Sequence, residues 1–545
     1  MKNFTLLLAM LTCFCVKAQW VNDTAVNTLV ADSVSDDAKS IGTSDGKTFV
    51  VFWKVVPAPT NYELRVQLID AAGNRQFGPD GILVSDAIPM STFTYVWKTV
   101  LDKSNNLYIS VTGSGAGNIG YIFKIDTTGA SLWTNGLTVG TGLLPTVLPL
   151  NNGDVMIAYW PGSGKSKLQK YTAAGIAVWA NAADITGANI SSATIPADLF
   201  ELSGGDIGVV FHQKFNFGVS SNLYYQKYSS SGIQTWEVPT QLADKGTAYN
   251  AFYSPAQDGD VIYYGYSGAT GTRFDSYVQR INPDGTIPWG INGIDFDTNT
   301  TNYEVDTKIA FAAGSSYVWA IARYTPSTQD IYGEYVQKFD KVTGARQFTD
   351  NAKEVFAIDT NYRNHIGDMY LQDDAPLFIV KSGFDSGASP ITLNAVLLDV
   401  NGDFAWENDL LPVATFAATK GRITFNQPVN GQGVIVFTEQ KTEGQTKIYA
   451  QNFVSSVLAT NGFETEGKTV KVYPNPSNGI FNISSGAAIQ SVAVYNLQGQ
   501  LVYENKLVGA LETAVDSGSW AKGMYFLDIL ADNGKRQAVK FIKAD

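Results

Sequence analysis

At 545 residues, with 45% hydrophobic and 12% aromatic composition and only 16% charged residues, the chain can bury one large core and still carry a smaller domain. That composition excludes an intrinsically disordered protein. The net charge of -12 comes without any Lys/Arg run, which excludes the electrostatic footprint of a nucleic-acid binder.

The N-terminus combines Lys2, an apolar run from Phe4 to Val16 and a small-residue pattern ending at Ala18. It predicts a signal peptide, residues 1–18, cut before Gln19. The run is too short to anchor the chain, and no transmembrane segment is expected. Cys13 and Cys15 are the only cysteines and both lie in this segment. Disulfides, thiolate catalysis and cysteine-held metals are thereby excluded for the mature chain.

Residues 19–458 carry a repeat. An aromatic residue follows a glycine by four positions at Gly73 to Phe77, Gly129 to Trp133, Gly175 to Trp179, Gly232 to Trp236, Gly285 to Trp289, Gly344 to Phe348 and Gly402 to Trp406. Before each glycine lies a short apolar strand, often with a glutamine inside it, as in "LRVQLID", "LYYQKY" and "YVQKFD". The glycine therefore marks a tight turn that needs positive φ. Its recurrence every roughly 46 to 59 residues is a period of propellers and arrays. Upstream of each pair sits another hairpin with a polar turn, among them "SDGK", "NNGD", "QDGD" and "NGQG", which makes eight hairpins. Four strands per unit without a sustained helical period predict an all-β chain folded as an eight-bladed β-propeller.

The eighth unit has its hairpin and a third strand, "KIYAQNF", but no glycine-spaced aromatic. The mature N-terminus, "QWVNDTAVNTLVAD", resembles the segment after the aromatic in other units, such as "LWTNGLTVGTG". Trp20 to Asp32 is expected to supply the missing outer strand and close the ring. A seven-bladed ring would leave Trp20 without that place.

Asp126, Thr128, Gly129 and Trp133, and again Asp340, Thr343, Gly344 and Phe348, resemble the tryptophan-docking motif of quinoprotein-like eight-bladed propellers. The resemblance implies the fold of the body. Quinoprotein dehydrogenases also use an adjacent cysteine pair near the quinone, which the mature chain lacks, so that enzyme is not expected. No cofactor is expected.

A polar linker, 459–468, leads to residues 469–545, whose alternating strands, Asn/Gly turns and basic last strand predict a small Ig-like β-sandwich. Tyr473, Pro474, Asn475, Pro476 and Gly479, then Tyr495, Asn496, Gly499 and Val502, then Gly523, Met524, Tyr525 and Phe526, and finally Lys540, Phe541, Ile542 and Lys543 resemble the type A C-terminal sorting domain of the type IX secretion system of Bacteroidota. The resemblance implies the type IX machinery as a partner and passage through the outer membrane. The protein would then be secreted or attached to the outer cell surface.

In a four-stranded antiparallel blade the first and third turns share one face, and the middle loop and crossover share the other. Here the second face carries the longer, unequal loops, such as "GSGAGNIG", "QKFNFGVSS", "SGATGTRFDS", "RYTPSTQDIYG" and "SGFDSGASPITL", and binding is expected there. The second strands end at that face on matching positions, Trp53, Trp160, His212 and Tyr266. These residues either form an aromatic platform for a sugar or peptide or fill the core between blades. Arg273, Arg323 and Arg363 either grip an anionic ligand or are solvated surface. His212 and His365 are the only histidines, too few for a His-rich metal site or a nucleophile, histidine and acid triad. An acid pair for glycoside cleavage needs only two carboxylates at a suitable separation, which sequence spacing does not show. "DVNGD", with Asp399, Asn401 and Asp403, alternates oxygen ligands but lacks the later glycine and glutamate of a calcium loop, and no metal is expected.

The sequence thus reads as a secreted or surface-attached propeller that serves as a binding or adhesion module for an extracellular glycan or protein. The alternative is an extracellular carbohydrate-active hydrolase or lyase that uses paired carboxylates on the loop face.

Overall fold

A glycine at positive φ, followed four residues later by an aromatic ring, is the local unit from which the body is assembled. The structure, a computed structural model, describes residues 20–454 except 36, 59–60, 90–93, 113–118, 189–192, 214–220, 249–252, 384–389 and 442–443, and residues 470–544 except 497–499 and 532–535. The expected signal peptide, the linker 459–468 and Gly499 lie outside the described residues. The chain divides into two compact units, Met1–Ser455 and Ser456–Asp545.

In the first unit six four-stranded antiparallel sheets succeed one another in chain order, with first strands Ala38–Gly42, Tyr95–Leu101, Leu143–Pro149, Thr194–Glu201, Ser254–Asp258 and Tyr303–Ala310. A seven-stranded sheet comes last, made of Asn364–Gln372, Ala375–Ser382, Ile391–Leu397, Leu411–Val429, Gln432–Gln440, Thr446–Val454 and the N-terminal Thr28–Leu29. Leu411–Val429 is shared within it. Up to Ala418 it pairs with Ile391–Leu397, and from Thr419 onward with Gln432–Gln440. The body is β-propeller-like. Second strands such as Leu107–Thr112 and Ile207–Gln213 are buried along their whole length, because each sheet is covered on both faces by its neighbours.

All seven repeat glycines have φ between 75° and 90°. Each turn lies beneath an aromatic ring of the preceding unit. A Cβ built on Gly129 would stand 3.1 Å from Phe77, on Gly175 3.3 Å from Trp133, on Gly232 3.0 Å from Trp179, on Gly285 2.6 Å from Trp236, on Gly344 3.1 Å from Trp289 and on Gly402 3.2 Å from Phe348. Gly73, the first of the series, lies under Trp20 at 2.9 Å. The indole N–H of Trp20, Trp133 and Trp289 donates to the carbonyl two residues before the covered glycine, Ala71 at 3.0 Å, Ala173 at 2.9 Å and Val342 at 3.5 Å.

The glutamines of the third strands hold the aromatic segment in place. Gln67 donates to Gly78 O at 2.7 Å, Gln169 to Trp179 O at 3.0 Å, Gln226 to Trp236 O at 2.9 Å, Gln279 to Gly290 O at 2.8 Å and Gln337 to Thr349 O at 2.9 Å. In the last third strand Gln451 makes the same bond to Val21 O at 2.9 Å. Beyond Val21 the N-terminal segment runs antiparallel to that strand, with Thr28 opposite Ala450 and Leu29 opposite Tyr449. Val30 N then donates to Ile448 O at 2.9 Å. The N-terminal segment therefore occupies the position that the aromatic and fourth strand take in the other units.

In the second unit the sheet order is Lys471–Tyr473, Ile480–Asn496, Gly523–Ala531 and Arg536–Lys543, with Leu501–Asp516 also paired to Ile480–Asn496. Its core gathers Phe481, Ile483, Val492, Leu527 and Phe541, with the Phe481 and Phe541 rings stacked at 4.0 Å. Asn475 ties the Tyr473 to Pro476 motif to the last strand, donating to Lys540 O at 2.7 Å and accepting from Ile542 N at 2.9 Å. Tyr525 is buried and donates to Ala521 O at 2.7 Å. Lys543 is buried too, and its ammonium donates to Asn478 O at 3.1 Å.

Two substitutions separate turn strain from ring contact. Gly314→Ala, at φ 77° with nothing within 4 Å, should lose only the roughly 1–2 kcal/mol of a left-handed alanine. Gly285→Ala should lose about 1–3 kcal/mol more, because its Cβ would enter the Trp236 ring. Urea unfolding of both variants measures the difference, and equal losses would show that the ring does not crowd the turn.

Candidate functional site

The first strands of the sheets are the least regular part of the body. In six of them the ladder to the second strand slips: at Trp97, at residues 144–145, at Ala197, at 306–307, at 367–369 and at 422–423. Leu144, Asp306 and Arg422 sit there with φ of 53°, 62° and 50°, a conformation that costs of order 1–3 kcal/mol for a non-glycine residue. Bulges of this kind re-aim side chains and recur beside binding sites.

Four of these slips, at Trp97, 306–307, 367–369 and 422–423, border a cavity of about 770 Å³ lined by residues 37–40, 94–99, 253, 308, 367–368 and 422–424. First strands of three four-stranded sheets, Tyr253 just before the first strand of a fourth, and both halves of the seven-stranded sheet therefore converge on it. A second cavity of about 410 Å³ shares Ser40, Thr99, Gly367, Asp368 and Thr424 with the first. The larger one falls within the size range of small-ligand sites. Its wall carries four cations, Lys39, Lys98, Lys308 and Arg422, against two carboxylates, Asp37 and Asp368. Lys39 donates to Trp97 O at 2.7 Å. Lys98 donates to Ala197 O at 2.8 Å and pairs with Asp198 behind the wall. Lys308 lies 3.5 Å from Asp368, and Arg422 lies 3.1 Å from Asp37. Burial lowers the Lys39 pKa to about 8, against the pull of Asp37 and with the help of Lys98 and Arg422.

Trp53, Trp160, His212 and Tyr266, selected from the sequence, do not line this cavity. Trp53 is 3% exposed, within a cluster of Val51, Leu64 and Val96. Tyr266 is fully buried, stacked on Tyr277, and donates to Asn292 O at 2.9 Å. Trp160 packs against Trp97, Leu144 and Ile195. His212 is buried, with Nδ1 2.9 Å from Ser221 Oγ and its ring 5.6 Å from Tyr253, a cavity residue. Burial lowers the His212 pKa to about 3, so it is neutral at physiological pH. In this structure these four residues are not brought together on one open surface.

Arg273 and Arg323 belong to two ionic clusters. Arg273 donates to Thr300 O at 2.7 Å and Asn299 O at 2.9 Å, and lies 2.5 Å from Asp275 and 3.6 Å from Glu304. Carboxylate oxygens of Asp295, Asp297 and Glu304 lie within 4.8 Å of one another, the one group among the described residues with the spacing to hold a metal ion. Tyr324 donates to Asp297 at 2.6 Å. Burial raises the Asp295 pKa to about 6, with Asp275 and Asp297 adding to it, and burial together with Asp297 holds Glu304 far above the usual carboxylate range. Arg323 lies 3.3 Å from Asp306 and over the Tyr332 ring. Beside it the buried Glu334 accepts from His365 N at 2.5 Å and lies 3.0 Å from His365 Nδ1. Arg363 stands over Phe356. At the "DVNGD" turn, Asp399 Oδ1 accepts from Asn401 N and Asp403 N, while the Lys353 ammonium lies 2.7 Å from Asp403.

Sequence reasoning missed the cavity residues and the acid cluster. One signal was present: lysines interrupt the apolar first strands "AKSIG", "YVWKTVL" and "YEVDTKIA".

Residues 471–544 match the family of secretion system C-terminal sorting domains. No curated protein matches the chain. Among solved structures, PorZ, an essential surface component of the type IX secretion system of Porphyromonas gingivalis, is 12% identical over 94% of this chain and 75% of its own, with a TM-score of 0.35. The Dos1 propeller is 9% identical over 78% and 95%, with a TM-score of 0.42. An ulvan lyase of polysaccharide lyase family PL25 is 10% identical over 79% and 95%, with a TM-score of 0.36. The sorting domain directs the chain through type IX export to the cell surface or to secretion. No helix among the described residues is long and apolar enough to cross a membrane.

Glu304 offers a pH test. Its folded pKa is raised, so above the unfolded value of 4.5 the unfolded chain ionises while the folded chain keeps the proton, and stability is lost as pH rises from there. Glu304→Gln should therefore raise Tm at pH 7 and leave it unchanged at pH 4. A gain of equal size at both values would remove the raised carboxyl as the cause.

Proposed function

We propose that residues 19–458 form an eight-bladed propeller closed by the N-terminal strand, preceded by a signal peptide at 1–18 and joined by the linker 459–468 to a type A sorting domain at 469–545. The exported body serves as a binding or adhesion module for an extracellular glycan or protein, held in the cavity where the first strands meet. The observation that carries this reading is that cavity: bulged strands from separate sheets aim charged and aromatic side chains into one space of ligand size. The count of eight is supported by the division of Leu411–Val429, which splits the seven-stranded sheet into two sets of four that share this strand, the second completed by Thr28–Leu29.

A second reading, an extracellular hydrolase or lyase, is favoured by one observation. Asp295 and Glu304 have environments that push their pKa values apart, as acid and base assignments require. Against it, Asp297 and Glu304 are each only 1% exposed, which keeps a glycosidic oxygen away from them.

A glycan array probed with the whole chain, with mass spectrometry of every hit, separates the two. Binding without cleavage is the expected result, and shortened products would replace the module with an enzyme. Deleting residues 19–32 should lower Tm by several degrees, since it removes Trp20 and the ladder to Thr446–Val454. An unchanged Tm would overturn the closed ring.

A further inference from the structure

We infer that the ligand of the 770 Å³ cavity is an acidic saccharide, a glycan segment bearing uronate carboxylates or sulfates, gripped by Lys39 and Arg422 with Lys98 and Lys308 on the same wall. The inference rests on the binding reading above and names the class of ligand.

Three features of the wall carry it. The first is charge against background. The chain as a whole is at -12, yet this concave wall has twice as many cations as carboxylates. A concave wall with an excess of one sign attracts the opposite charge.

The second is the manner in which the cations are held. Lys39 sits on a first strand close enough to Lys98 and Arg422 to feel both. Its ammonium is fixed on Trp97 O rather than directed to bulk water. Arg422 is placed by a bulge and a left-handed backbone, yet its side chain remains 61% exposed. Strain that presents a charged group to an open cavity does nothing for the core. Arg422 pairs with Asp37 through Nε at 3.1 Å, and so much of its side chain stays exposed that a ligand can still reach it.

The third is the apolar part of the wall. Tyr95 and Tyr253 are half-buried there, and Trp97 lies edge-on to Tyr95 at 5.7 Å. Rings provide flat apolar area for the C–H faces of a pyranose, while ammonium and guanidinium groups take the ring carboxylate or sulfate. An acidic peptide would match the charge but makes no particular use of those rings.

The test is calorimetry of the whole chain with hexagalacturonate, its methyl ester, a heparin hexasaccharide, maltohexaose and hexaglutamate. One of the two acidic saccharides should bind, and should bind at least about tenfold more weakly in Lys39→Gln and in Arg422→Gln at unchanged Tm. Its affinity should fall as KCl rises from about 50 to 300 mM. Lys103→Gln, on an exposed turn, should bind as the wild type does. Should one variant fail to fold, the other and the salt series still decide. Equal affinity for the methyl ester or maltohexaose would show that charge is not read, and would overturn this inference while sparing the binding module. Acidic saccharide affinity unchanged in both variants would place the site elsewhere. Tighter binding of hexaglutamate would assign a peptide. If neither acidic saccharide binds while the array gives another ligand, the inference fails alone, and if nothing binds in either experiment the binding reading fails with it.

Discussion

The body depends on one contact repeated along the chain: an aromatic ring laid on the glycine turn of the next unit. The turn requires positive φ, and the ring requires that no Cβ be there, so the two demands fall on the same residue and select glycine twice over. The contact links neighbours in sequence order, so it fixes both the spacing of successive sheets and the direction in which they succeed one another. The third-strand glutamine then determines where the ring sits, because its amide bonds the chain at or just after the aromatic and its carbonyl accepts from the next residue of its own strand. A buried amide that satisfies both ends in this way is worth more as a positional device than as a source of stability, since its net contribution is only about 1 kcal/mol per bond.

The rings and glutamines hold the outer strands in place even where these slip against the third strands, and the first strands depart from a regular ladder in more of the sheets. They do so in six places, and four of the departures, at Trp97, 306–307, 367–369 and 422–423, border a common space lined by charged and aromatic side chains. Strained residues such as Asp306 and Arg422 persist only where the surrounding sheets over-determine their backbone. The ionic clusters of Arg273 and Arg323 reach from one sheet to the next, through Arg273 to Glu304 and through the fully buried pair of Glu334 and His365, whose attraction water does little to screen.

The repeat was legible because its cause is local. Gly175 and Trp179 are four residues apart, and a turn that needs positive φ announces itself in one chain without knowledge of the neighbour. The pairing of Thr28 and Leu29 with Thr446–Val454 has a local signal too, since the segment from Trp20 onward resembles the residues that follow the aromatic in other units. The cavity was not legible. A bulge depends on the register between two strands, and Trp97 or Ala197 looks in sequence like any other strand residue. Trp53 and Tyr266 stand at matching positions, but position along a strand does not say whether a ring meets solvent or the next sheet. The cluster of Asp295, Asp297 and Glu304 arises because a crossover folds back on a first strand, which no spacing rule captures. Among the residues chosen from sequence, Arg273 and Arg323 did lead to such clusters, since a charged side chain on a half-buried strand must find partners.

Joining the two ends of the body in one sheet has a physical cost that the N-terminal segment has to offset without covalent help, as the only cysteines are Cys13 and Cys15. Its ladder is short, with Thr28 and Leu29 as the paired residues. At about 1 kcal/mol per bond, that ladder alone would not hold the ends against chain entropy. What anchors it is side-chain burial. Trp20 is 8% exposed in a cluster with Val30, Ile69 and Ile448, and its ring covers Gly73 while its N–H reaches Ala71 O. Burying a tryptophan removes about 150–250 Å² from water, worth roughly 4–6 kcal/mol at 25 cal/mol/Å². The same ring that elsewhere spaces two neighbouring units therefore joins the first sheet to the last, and the strength of that join resides in one indole rather than in the strand that carries it.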